Sequence, residues 1–254
     1  MRYMQLKPTM RLAIQSNGAT VVAKLLYGSH ELQILRYLHR IDSPINHTIP
    51  LLRVLELDTW KFVLLPKATP LDSIFARRMI YDNVVDFSRQ LIEGVAFLHS
   101  QGIAHLDIKP QNIVVVPNKL FIIDFDISVR VDGTSTLIDR WCGTPGWMAP
   151  EIGHRDGPRC RYSPIRADLW SCGRVLLYLA RMGDVEEENP FESLTMELLN
   201  KVPKLRPLLH RLPWVLQRSF KVGQSLSESQ GTMKRKPDTL PHDAKRLAIS
   251  AAHP

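Results

Sequence analysis

The stretch from His105 to Asp126 constrains this chain more than any other. It reads HLDIKPQNIVVVPNKLFIIDFD: two compact aliphatic runs, NIVVV and LFIID, divided by Pro117-Asn118-Lys119, with ionisable and amide side chains gathered before the first run and after the second. β-branched runs broken by a Pro-Asn turn signal predict a short hairpin. One loop and one hairpin end then supply three carboxylates (Asp107, Asp124 and Asp126), a lysine (Lys109) and an amide (Asn112). Taken singly, Asp and Asn are ordinary turn residues of surface loops, so the weight rests on what accompanies them.

The rest of the chain fits around this hairpin. RLAIQSNGATVVAKLL, Arg11–Leu26, is two aliphatic runs split by Ser-Asn-Gly and predicts another hairpin. Leu32, Leu35 and Leu38 recur at helical spacing after Ser29, the expected N-cap. LLRVLEL and WKFVLLP read as strands, and Asn83–His99 has the 3.6-residue apolar period of a long amphipathic helix. A polar loop is expected from Asp126 to Gly157, then a mainly helical remainder to about Phe220. This order predicts an α+β chain of two lobes: residues 1–66 a small β-rich lobe and 67–220 a larger helical one. Residues 221–254 hold almost no core-forming side chains and are expected to be a disordered tail.

Charge narrows the function classes. The formal +8 is not spread over the chain: residues 201–254 carry 11 Lys or Arg against 3 acids, and residues 1–200 carry 22 against 22. A neutral body argues against a nucleic-acid groove built into the fold, and leaves a basic tail suited to an acidic partner or an import receptor. Three cysteines with no CxxC spacing suggest neither a disulfide framework nor a metal cage, so a reducing, intracellular setting, cytoplasmic or nuclear, is expected. No signal peptide or membrane span is evident; the most apolar segment, LWSCGRVLLYLA, contains Arg174 and reads as a buried core helix.

HLDIKPQN followed by Asp124-Phe125-Asp126 resembles the catalytic loop HRDxKxxN and the metal motif DFG of eukaryotic protein kinases. Three further segments match in order: GTPGWMAPE (Gly143–Glu151) resembles the end of a kinase activation segment, DLWSCG (Asp168–Gly173) the central helix of the large lobe, and Arg206 the partner of Glu151. The GTPGWMAPE segment separates the chain from small-molecule kinases of the aminoglycoside type. The resemblance implies a bilobal kinase fold and transfer of the ATP γ-phosphate to protein hydroxyls. Asp107 and Lys109 would be catalytic, with Lys109 of the serine/threonine type, and Asn112 and Asp124 would hold Mg2+. Lys24 would grip phosphates, paired with Glu31, while Leu65, Lys67 and Val114 would join them around ATP. Leu64 is expected to close the back of the adenine pocket, between Val22 and Val114, and Leu35 to pack on Phe125.

The pattern also departs from the family. No glycine occurs in MRYMQLKPTM, where the phosphate-covering loop should fall, so a catalytically weak or inactive scaffold with the kinase fold stands as the alternative. Leu106 replaces the arginine that normally receives an activation-loop phosphate, which implies independence of loop phosphorylation by that route, and Asp126 replaces the DFG glycine.

Overall fold

Gly18 closes the first hairpin at φ +81°, in the left-handed region that glycine tolerates. Asn17 Oδ1 accepts the Ala19 amide at 3.0 Å, so the Ser-Asn-Gly signal forms the turn it encodes. It joins β1 (Met10–Ile14) to β2 (Thr20–Leu26). A computed structural model describes residues 9–158, 160–183 and 189–219. The glycine-less segment falls mainly on residues 1–8, which lie outside the described residues, as do residues 184–188 and the expected tail.

Strands β3 (Arg53–Leu57) and β4 (Trp60–Pro66) complete an antiparallel sheet of order β1-β2-β4-β3. Helix α1 (His30–His39) buries Leu32, Ile34, Leu35 and Leu38. Ser29 sits at its N-cap position as expected, but in helical backbone geometry and without a side-chain cap bond; an N-cap oxygen reaches the first-turn amides from extended backbone, which Ser29 does not have.

The polypeptide crosses from β4 through β5 (Thr69–Pro70) into the helical lobe. Helix α2 runs from Arg77 to Ser100, six residues earlier than the apolar period indicated. Asn83 marks the difference. It leaves helical geometry at φ −137°, and its side-chain amide donates to the Met79 carbonyl at 3.0 Å, so the helix continues across a kink. Phe87, Leu91, Ile92, Val95 and Leu98 of α2 are completely or almost completely buried. Each contributes roughly 1.5–3 kcal/mol, more than the ~0.5 kcal/mol that aromatic and β-branched residues forfeit in a helix. Helix α3 (Pro164–Gly183) packs along α2, and α4 (Glu192–Leu198) packs on α3.

Between α2 and α3 lie β6 (Ile103–Ala104), the hairpin β7 (Ile113–Val116) and β8 (Lys119–Ile122), and β9 (Val129–Arg130). The hairpin turn is Pro117-Asn118, with Asn118 at φ +62° and Lys119 already in the strand. Strand β5 pairs with β7, and β9 with β6. The Ile122 amide donates to the His47 carbonyl at 2.8 Å, and the Ile49 amide to the Ile122 carbonyl at 3.1 Å, which ties the segment after α1 to the hairpin. The site therefore forms where sheet lobe and helical lobe meet.

Candidate active site

In β7 and β8, Ile113 pairs with Ile122, and the Ile123 amide donates to the Asn112 carbonyl at 3.0 Å. This register brings the residues just before β7 beside those just after β8. Asp107 lies in the loop before β7, and its carboxylate accepts from three side chains: Thr144 Oγ1 at 2.7 Å on one oxygen, Lys109 Nζ at 2.7 Å and Asn112 Nδ2 at 2.8 Å on the other. Lys109 Nζ also donates to Thr144 Oγ1 at 2.6 Å. Gly143 lets Thr144 reach this loop: its φ is +102°, and a Cβ there would stand 3.0 Å from the Leu106 carbonyl oxygen.

Buried Asp168 of α3 fixes the loop backbone, accepting the His105 amide at 2.6 Å and the Leu106 amide at 2.7 Å, with the His99 ring 3.1 Å away. Leu106 and Asp124 both have positive φ, +66° and +71°. That geometry costs a non-glycine residue about 1–2 kcal/mol; for Leu106 the two Asp168 bonds offset it. Leu106 is buried and contributes no cation here. The His105 ring packs on Phe125 with centroids 5.1 Å apart, and Leu35 lies buried in the same core.

From the sheet lobe, Lys24 reaches Glu31 of α1 at 2.6 and 2.7 Å and Asp124 at 2.7 Å. Burial opposes charge on Lys24, but Glu31 and Asp124 outweigh it and raise its pKa. For Glu31 burial dominates; repulsion from Asp124 and Asp126 adds to it, and attraction to Lys24 only partly compensates, so its carboxyl is pushed up to about 7. The ammonium thus bonds two members of a group of three acids, Glu31, Asp124 and Asp126, whose oxygens lie within 4.8 Å of one another. Asn112 is the other candidate ligand. Its Nδ2 is spent on Asp107, while its buried Oδ1 has no hydrogen-bond partner among the described residues. An unpartnered carbonyl oxygen beside a carboxylate-rich hairpin end has the donor chemistry of a Mg2+ site.

Leu65 pairs with Val22 across β2 and β4, so it lies on the sheet face that carries Val22 and Lys24. Leu64 pairs with Ala23 and faces the other way, which corrects the expectation that Leu64 closes the pocket. Val114 is buried on β7, and the Lys67 side chain is exposed. Glu151 and Arg206 form the expected pair through two bonds of 2.6 and 2.9 Å, with Arg206 completely buried over the Trp170 ring. Two contacts carried no sequence signal: the His30 ring meets the Ser128 carbonyl at 2.9 Å, and the Arg140 guanidinium donates to the Ile127 carbonyl at 2.5 Å.

A family profile described as "Protein kinase domain" matches residues 30–229, most of the chain. The chain belongs to the protein kinase family. The matched region takes in α1 with Glu31, the Asp107 loop and Asp124, and begins after Lys24. Among curated relatives, CBL-interacting protein kinase 29 of Oryza sativa subsp. japonica is 42% identical over 104 residues, 41% of this chain and 22% of that protein. The serine/threonine-protein kinase chk1 of Schizosaccharomyces pombe is 32% identical over 186 residues, 70% of this chain and 36% of that protein. CBL-interacting serine/threonine-protein kinase 15 of Arabidopsis thaliana is 38% identical over 122 residues, 46% of this chain and 27% of that protein. The matched region thus spans about a third or less of each. Among the described residues, no helix of this kinase-family chain is long and apolar enough to cross a membrane.

Proposed function

We propose that this chain transfers the γ-phosphoryl group of ATP to serine or threonine hydroxyls of proteins. The observation that carries the reading is the Asp107 carboxylate, oriented by Lys109, Thr144 and Asn112 beside a hairpin end where Lys24 and Asp124 meet. Phosphoryl transfer needs little covalent help from protein; it needs a positioned acceptor and compensated phosphate charge.

Asp107 would orient the acceptor hydroxyl and take its proton. Lys109, already shared between Asp107 and Thr144, would offer its ammonium to the transferring group. Lys24, anchored by Glu31, would turn from Asp124 toward the α and β phosphates. Asn112 Oδ1 and Asp124 would hold Mg2+, which would supply positive charge to the phosphates of ATP. Val22, Leu65 and Val114 would enclose the adenine, with Lys67 at the edge. The partition that accompanies this reading is a sheet lobe through residue 66, a helical lobe over 67–220 and a basic segment over 221–254, an acidic partner or an import receptor being the chemistry that segment fits. The neutral body remains the argument against nucleic acid.

The test is incubation of the full chain with labelled ATP, Mg2+ and a mixed serine, threonine and tyrosine peptide library, followed by phosphoamino-acid analysis. Label on serine and threonine, lost on chelation of Mg2+, is expected. Label on tyrosine alone overturns the specificity, and no label at any enzyme concentration that binds ATP overturns the activity in favour of an inactive scaffold.

A further inference from the structure

The segment leading to Thr144 contributes Leu137, Ile138, Asp139 and Arg140 to a groove of about 580 Å³ whose other lining residues are Val129 and Arg161. That volume is in the range of ligand sites. Val129, Leu137 and Ile138 make half of its lining apolar, and its charge is two guanidiniums against one carboxylate. The cations are not consumed within the fold. Arg161 is exposed and makes no hydrogen bond or ion pair among the described residues, and Arg140 is held by the Ile127 carbonyl with its remaining donors on an exposed side chain. Asp139 is in ion-pair range of neither among the described residues. Two nearby arginines are differently placed: Arg130 covers the Tyr37 ring at 4.5 Å and Arg155 faces the Trp141 ring at 5.7 Å.

The groove is also anchored to the reacting loop. Ile138 and Tyr162 exchange backbone hydrogen bonds of 3.0 and 2.9 Å, and the Tyr162 hydroxyl donates to the Arg140 carbonyl at 2.8 Å. Four residues beyond Arg140, Thr144 touches Asp107. Four residues of chain span at most about 14 Å, so the groove is within reach of residues flanking an acceptor hydroxyl held at Asp107.

We propose that the groove is a specificity subsite for an acidic side chain near the acceptor residue of the protein substrate, with Arg161 and Arg140 as its cationic contacts. The proposal rests on the kinase reading and names its substrate class: serine or threonine segments flanked by aspartate or glutamate. Carboxylate and guanidinium form paired, charge-assisted bonds, and at an exposed rim each such contact changes selectivity by about fivefold.

The test uses the full chain, treated with phosphatase, and serine peptides carrying Asp, Asn or Lys at each position within three residues of the acceptor. At one or more positions kcat/KM for Asp should exceed that for Asn about fivefold; Arg161→Gln should bring the ratio to about one, and Arg161→Lys should keep most of it. Fluorescence anisotropy with the same peptides bearing alanine at the acceptor reads the same ratio as Kd, so a chain that binds selectively without transferring phosphate refutes the activity and not the subsite. A ratio near one in the wild-type chain, or a preference untouched by Arg161→Gln, overturns the subsite. So does an absent peptide preference combined with a phosphate on Thr134, Ser135 or Thr136 that raises Tm only when Arg161 is present, which assigns the groove to the chain's own loop.

Discussion

Replacing Asp168 by Asn tests how the catalytic loop is held. The two carboxylate oxygens each accept one backbone amide, from His105 and Leu106, at 2.6 and 2.7 Å, and the residue is 1% exposed. An asparagine supplies one acceptor and turns its NH2 toward the other amide, so donor faces donor. One charge-assisted bond is lost, at about 1.5–3 kcal/mol, and one buried amide is left unsatisfied, at about 1–3 kcal/mol. The sum is about 2.5–6 kcal/mol. For a domain of this size each kcal/mol lowers Tm by about 2–4 °C, so thermal unfolding should fall by about 10 °C. Leu106 should also leave its positive φ once its amide is released, carrying Asp107 with it, so transfer should fall further than the folded fraction measured by circular dichroism at the same temperature. A Tm within 2 °C of wild type, with transfer intact, refutes the claim that Asp168 fixes this loop.

Other consequences follow from the same geometry. Gly143→Ala should cost about 1–2 kcal/mol through its positive φ and, by pressing on the Leu106 carbonyl, should reduce transfer more than Tm, as parallel calorimetry and kinetics would reveal. Glu151→Ala strands the buried Arg206 guanidinium with only carbonyl and ring contacts and should cost about 3 kcal/mol by urea unfolding, more than Arg206→Met, which leaves a partly exposed Glu151; the reverse order contradicts the burial asymmetry. Burial alone would raise the pKa of Glu93, but bonds from His47 and Arg89 and the charges of Arg89 and Arg218 outweigh it and lower the pKa below the usual carboxylate value. A depressed folded pKa gives stability that is present above the unfolded value near 4.5 and lost as pH falls through the folded one. Stability measured from pH 7 to pH 3 should therefore fall below about pH 4.5, and Glu93→Gln should flatten that limb.

What was legible in the sequence was local or tied to a spaced motif. The Ser16-Asn17-Gly18 turn, the β7–β8 hairpin and the apolar stripe of α1 each follow from neighbouring residues. Lys24 and Glu31, seven residues apart, and Glu151 and Arg206, far apart, were found through the family's pattern. Contacts from a side chain to a distant carbonyl leave no pattern: nothing in His30 or Arg140 announces Ser128 or Ile127 as its acceptor. The misplacement of Leu64 has a different cause, since strand faces alternate at every residue and the position next to Leu65 necessarily looks the other way. At Ser29 the residue type suited a cap while the backbone entering α1 was already helical, so composition could not reveal that the bond is unmade.

The most direct measurement of the central claim is γ-phosphate transfer by wild type and Asp107→Asn, each first shown to bind ATP with Mg2+ and to unfold at the same temperature. The account predicts transfer by wild type and a loss of at least about a hundredfold in the variant, the scale of positioned acid–base catalysis. Equal rates, or equal silence in two folded proteins that bind nucleotide, would contradict it.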